Sequence, residues 1–266
     1  MDSSSPGSRL GSREVPRVLA AVICVWAAMP SAGAKARDLV VFGEPTLMTA
    51  LERLGQAWRA RSGTRVNVFV APTDLSLAQI DRGARCDVIF ALDGAVLRDA
   101  ERREIVKADE TVPALRNSRV LVARPDAERP SAAATPGQPQ SLLAGRRVAI
   151  ANPDRDVGGA EGLRWLRQAG GGEDDQNVVT AESSAGVLTF LADNVAPLGI
   201  VYATDAAARP DLPVLARMGD EDNTSLRYVV RQAKDAQTDT RPFFAFLASA
   251  EGRAILKTAG LRVAGE

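Results

Sequence analysis

Beyond residue 37, short apolar runs rich in β-branched residues alternate with stretches whose apolar positions recur at helical spacing. That alternation is the pattern of a largely parallel sheet covered by helices. Asp38-Leu-Val-Val-Phe42 predicts a first strand, and Leu47, Leu51, Leu54 and Trp58 then form one apolar face of a helix running from Pro45. Arg65 to Ala71 predicts a second strand, followed by a helix through Leu75 and Ile80 that stops at Gly83. Asp87-Val-Ile-Phe-Ala91 predicts a third, followed by a helix from Val96 to Arg102. With right-handed crossovers this series makes one open twisted sheet.

After an apolar run from Ser118 to Ala123 the texture changes. Residues 125–140 hold four prolines and three consecutive alanines, the composition of a surface loop or of the margin between two lobes. A second α/β series then begins. Its predicted strands are Arg147–Ala151, Asn177–Thr180 and Leu198–Tyr202, with helices over Ala160–Gln168 and Ser184–Asp193. Shorter strands are expected at Leu212–Leu215 and Leu226–Val230, and two closing helices at Arg241–Ala248 and Ala250–Ala259.

The chain starts differently. Arg9, Arg13 and Arg17 precede the apolar run Val18–Met29, and Ala32-Gly-Ala34 offers a small-residue cleavage pattern. The run is shorter than the roughly 20 residues that span a bilayer, so residues 1–34 read as a secretory signal peptide and the periplasm as the destination. Cys24 would leave with that segment. Cys86 would remain without an intramolecular partner, as a small buried hydrophobe, and the core rather than a cross-link would hold the fold.

Composition removes several chemistries. The chain has no histidine, which excludes Ser-His-Asp and Cys-His relays and histidine-ligated zinc. Its 33 Lys and Arg balance 33 Asp and Glu, with no long basic run, so no nucleic-acid partner is expected. Attention passes to the loops at the carboxyl ends of the strands, where open α/β sheets bind ligands. These carry Gly43-Glu-Pro-Thr46, Pro72-Thr-Asp74, Asn152-Pro-Asp-Arg-Asp-Val-Gly-Gly159, Glu182-Ser-Ser184 and Tyr202-Ala-Thr204. Any one of these hydroxyls can be a helix cap. Five such loops in equivalent positions describe a cleft whose hydroxyls and helix-start amides can hold an anion without a basic residue.

Several stretches resemble one family. The Leu77–Gly83 stretch followed by Cys-Asp-Val-Ile-Phe-Ala, and above all Ala196-Pro-Leu-Gly-Ile-Val-Tyr-Ala-Thr-Asp-Ala206, are similar to the periplasmic molybdate-binding proteins of ABC importers, over nearly all of residues 37–262. The resemblance implies the type II periplasmic binding fold: two lobes, each a mostly parallel sheet flanked by helices, with the ligand cleft between them. Lobe 1 would comprise 37–119 and 226–266, and lobe 2 would comprise 120–225. It also implies a monomer that captures molybdate or tungstate without a cofactor or a separate metal and passes it to an ABC permease in the inner membrane. The oxyanion contacts carried over by position are Thr46, Thr73, the Gly158 amide, the Ser184 amide and the Tyr202 hydroxyl. Glu44 stands where the family's first loop is small and neutral, and Pro72 and Asp74 stand where its second loop is rich in serine.

Two other readings stay open. The same fold can bind a polyol, an amine or another anion, with Glu44 and Asp74 as direct contacts. The acids Glu44, Asp74, Asp154, Asp156 and Glu182 can also serve a carboxylate-based enzyme. A dinucleotide enzyme fits less well, since the loop after the first strand lacks G-x-G-x-x-G.

Overall fold

The computed structural model describes residues 37–108, 112–127, 142–143, 145–169, 177–219 and 226–264. The expected signal peptide and residues 128–140 of the proline-rich stretch lie outside them. Two sheets carry the fold. The first contains β1 (Leu39–Gly43), β2 (Val66–Val70), β3 (Val88–Leu92), β4 (Val106–Lys107), β5 (Leu115–Asn117), β11 (Arg227–Ala233) and β12 (Leu261–Val263). Its main order is β12-β5-β11-β3-β1-β2, with β4 paired to β11. The second contains β6 (Arg119–Ala123), β7 (Val148–Ala151), β8 (Val178–Ala181), β9 (Leu198–Tyr202) and β10 (Val214–Arg217), in the order β10-β6-β9-β7-β8.

Alternation along the strands explains why both sheets are covered on both faces. Leu39, Val41, Val88 and Phe90 point into one apolar cluster, while Val40, Phe42, Ile89 and Ala91 point into another. In the second sheet Leu121, Val148, Ile150 and Leu198 face one way, and Val120, Val122, Ala149 and Val201 the other. The helix α1 (Met48–Ser62) buries Leu51, Leu54 and Trp58, as its spacing predicts. Trp58 packs against Phe243 and Phe246 of α7 (Arg241–Ala248), with ring centroids 5.4 Å away in each case. The helix stops where Gly63 turns left-handed at φ 73° and returns its N–H to the Arg59 carbonyl, a conformation in which glycine carries no Cβ penalty. The remaining helices are α2 (Thr73–Asp81), α3 (Ala95–Arg102), α4 (Val157–Gln168), α5 (Ser184–Ala192), α6 (Ala203–Ala208) and α8 (Ala250–Thr258).

The sequence pattern anticipates the α/β class, and the structure differs in detail. Parallel pairing is confined to β2-β1-β3 and β8-β7-β9; β11 and β6 join those trios antiparallel, as do the outer strands. The reason is connectivity: β5 leads to β6 through Ser118 alone, so the chain enters the second sheet without a crossover helix. The first predicted helix opens as a 3-10 turn over Pro45–Leu47. Helix α4 starts at Val157 rather than Ala160, because the Asp156 carboxylate caps it through the Gly159 amide. The strands β4, β5 and β12 were not expected, being too short to show a period.

One buried carboxylate ties the first sheet together. Asp87 is fully buried and accepts from the amides of Val40 at 2.8 Å, Gln237 at 2.7 Å and Thr238 at 3.1 Å. Replacing Asp87 with Ala orphans these donors, and each unsatisfied amide costs about 1 to 3 kcal/mol. Denaturant unfolding of Asp87→Ala is therefore expected to show a stability loss of about 3 to 5 kcal/mol; a loss below about 1 kcal/mol would contradict this role.

Candidate functional site

The carboxyl ends of β1, β2, β7, β8 and β9 bring loops from both sheets to one cavity of about 500 Å³. Thr46, Ser184 and Tyr202 line it. The other two expected contacts sit behind that surface. Thr73 is buried beneath Glu44. Gly158 lies under the Tyr202 ring, where a Cβ would come within 2.6 Å of the phenolic oxygen, so only glycine lets α4 begin this close to β9.

The hydroxyls are already engaged, and mostly by acids. Glu44 is buried, and its Oε1 accepts from the Thr73 amide at 2.6 Å and from the Thr73 hydroxyl. The Thr73 oxygen in turn accepts from the Leu92 amide at 2.9 Å. Tyr202 donates to Asp156 Oδ1 at 3.0 Å, and the Ser184 hydroxyl donates to Asp205 Oδ2 at 2.5 Å. Thr46 shares a 2.8 Å hydrogen bond with the hydroxyl of Tyr228, a buried side chain of β11. Glu44, Asp156 and Asp205 all line the cavity, whereas Asp74 is exposed on α2 and does not.

Positive charge is sparse around them. Arg155 lines the mouth and pairs with Glu182 at 2.7 Å, both side chains well exposed. Arg119 is fully buried at the start of β6, in register with Tyr202, and forms an ion pair with Glu161 of α4. Burial pushes the Glu44 carboxyl up from the ordinary carboxylate range against the pull of its Thr73 hydrogen bonds, and Asp74 adds to the rise. Asp205 is also raised by burial, opposed by Ser184 and the Tyr202 backbone and reinforced by Asp156. Burial pushes Tyr228 up to about 12 and Tyr202 higher still, so both remain phenols at neutral pH. Among the described residues no group of three or more Cys, Asp or Glu side chains is placed to hold a metal ion.

Among the polar lining residues, Tyr228 and Asp205 carry no loop signal in the sequence. Tyr228 sits inside a strand. Asp205 lies within the Ala196–Ala206 stretch, three positions beyond Tyr202 and already inside α6.

Two α/β sheets of matching strand order with a hydroxyl-lined cleft at their strand ends define a two-lobed solute-binding protein, and comparison with known proteins agrees. The model for bacterial extracellular solute-binding proteins matches residues 39–262, and the chain belongs to that family. It is 24% identical over 228 residues to the molybdate-binding protein ModA of Escherichia coli, covering 85% of this chain and 89% of that protein. It is 27% identical over 233 residues to ModA of Mycobacterium bovis, covering 85% and 84%. The periplasmic molybdate-binding protein of Azotobacter vinelandii superposes with a TM-score of 0.62 at 19% identity, covering 85% of this chain and 99% of that one. These relatives are binding proteins.

The raised carboxyls give a stability signature. Between its ordinary pKa and the raised one, such a carboxyl takes up a proton on folding, so its contribution to stability is fully present below the ordinary carboxylate pKa and is lost as pH rises through the raised one. Glu44→Gln keeps the acceptor for Thr73 and removes the charge. Its melting temperature is expected to exceed that of the parent near pH 8, by about 2 to 4 °C for each 1 kcal/mol relieved, and to match it near about pH 4, where the parent carboxyl is protonated. An equal gain at both pH values would contradict the burial of a charge at Glu44.

Proposed function

We propose that the chain is the periplasmic receptor of an ABC importer: a monomer, directed outward by residues 1–34, that captures a small oxyanion of the molybdate and tungstate kind and presents it to a permease in the inner membrane. No bond is made or broken. The observation that carries this reading is the convergence of Thr46, Ser184 and Tyr202, from three strand-end loops of two different sheets, on one cavity. The names of the relatives supply the ligand class. The Thr46, Thr73 and Tyr202 hydroxyls would donate to the anion, with the Gly158 and Ser184 amides at the starts of α4 and α5, where the helix dipole favours negative charge.

A specific observation favours a second ligand chemistry. With their charges kept, the cavity's carboxylates oppose a dianion: at about 5 Å and an effective dielectric near 20, each pairing costs about 7 kcal/mol. A solute that itself donates hydrogen bonds, such as an amine or a polyol, would meet Glu44, Asp156 and Asp205 without that cost. Asp74 has no part in this version, because it does not face the cavity.

Calorimetric titration of the purified protein with molybdate, tungstate, sulfate, phosphate, amines and polyols separates the two. The oxyanion reading expects heat and thermal stabilisation with molybdate or tungstate, rising by about 4 kcal/mol at a thousandfold excess over Kd. Tyr202→Phe should then weaken the anion by about tenfold to a hundredfold, the worth of one charge-assisted hydrogen bond. Binding of an amine or polyol with no response to any oxyanion would replace the reading with the second one.

A further inference from the structure

Resting on the oxyanion reading, we propose that Glu44 and Asp205 are themselves ligand-binding residues: each takes up a proton from solvent as the anion enters and then donates a hydrogen bond to it as a neutral carboxylic acid.

The geometry calls for such a step. The Thr73 and Ser184 hydroxyls are given to Glu44 and Asp205. Both acids line the cavity, so they meet any bound anion directly. Adding one proton to either carboxyl does two things at once. It removes the like charge and gives the carboxyl a hydroxyl that can donate to the anion, while the carboxyl still accepts from Thr73 or Ser184. The cavity then gains a donor in place of each opposing charge.

Burial and like charge favour the neutral forms, against the hydrogen bonds from Thr73, Ser184 and the Tyr202 backbone. The charge of Asp74 on α2 acts on Glu44 and that of Asp156, in the loop before α4, on Asp205, and the buried phenol of Tyr228 neighbours both acids. Arg155 pairs with Glu182, and Arg119 pairs with Glu161 while acting on Asp156 and Tyr202. Burial raises both carboxyls before any ligand is present, and an incoming dianion raises them further. Glu44 and Asp205 thereby set both the affinity and its dependence on pH.

Calorimetry with tungstate tests this, run between about pH 6.5 and about pH 9 in buffers of differing ionisation heat, so that protons taken up are counted directly. The expected result is net proton uptake and an affinity that falls as pH rises, about tenfold per pH unit for each proton bound. Glu44→Gln and Asp205→Asn, which imitate the neutral acids, should each flatten the pH profile, lower the proton count and bind tungstate more tightly than the parent near pH 9. Thermal unfolding of each variant confirms that it is folded. Tungstate binding with no proton uptake and no pH dependence would overturn the proposal and leave the oxyanion reading standing. Folded variants no tighter than the parent near pH 9 would also overturn it. Absence of oxyanion binding at every pH, with an amine or polyol bound instead, would overturn the oxyanion reading itself.

Discussion

A carboxylate removed from water has to collect hydrogen-bond donors or lose its charge, and this constraint shapes both the scaffold and the cleft. Asp87 meets it with backbone amides from β1 and from the turn after β11, so a buried acid becomes a clasp between β1 and a turn 150 residues beyond Asp87 itself. In the cleft the donors are those a binding protein would offer its ligand. Glu44 holds Thr73, Asp156 holds Tyr202, and Asp205 holds Ser184. The site is preorganised by acids that occupy the donors, and a ligand has to displace them, neutralise them or satisfy them with donors of its own.

This arrangement follows from how the chain is threaded. Each sheet has a parallel trio whose strand ends point at the cleft, and the direct step from β5 to β6 sets the second trio beside the first. At that step the Asn117 backbone amide donates to the Leu226 carbonyl, and the Met218 amide to the Arg119 carbonyl. The Asn117 side chain donates to Thr204 of α6, and Tyr228 of β11 reaches Thr46. Polar contacts thus run from the junction of the two sheets to the cavity wall.

Much of this is legible in the sequence, for identifiable reasons. Long apolar runs and four-three-four helical spacing mark β1, β3, β6, β7, β9 and α1, because burial on both faces or along one stripe leaves a periodic record. The loops at the strand ends can be located for the same reason. The hydrogen-bond state of their side chains leaves no such record. Glu44 stands out as an acid beside an expected anion site, yet nothing local shows that it folds back onto Thr73 across 29 positions. Asp74, equally prominent, faces solvent because α2 turns it outward. Asp156 looks like one acid among several in its loop until it both caps α4 and accepts the Tyr202 hydrogen bond. Tyr228 reaches the site from a strand that enters the sheet after both α/β series are complete.

If Glu44 and Asp205 meet the anion as neutral donors, a crystal structure with tungstate, whose heavy atom locates itself by anomalous scattering, will show it. The anion should lie inside the cavity with a carboxyl oxygen of Glu44 and one of Asp205 within about 2.5 to 2.8 Å of its oxygens, a contact two like-charged groups do not make and a neutral acid does. Tungstate bound elsewhere, or bound in the cleft with both carboxylates turned away from it, would rule that role out.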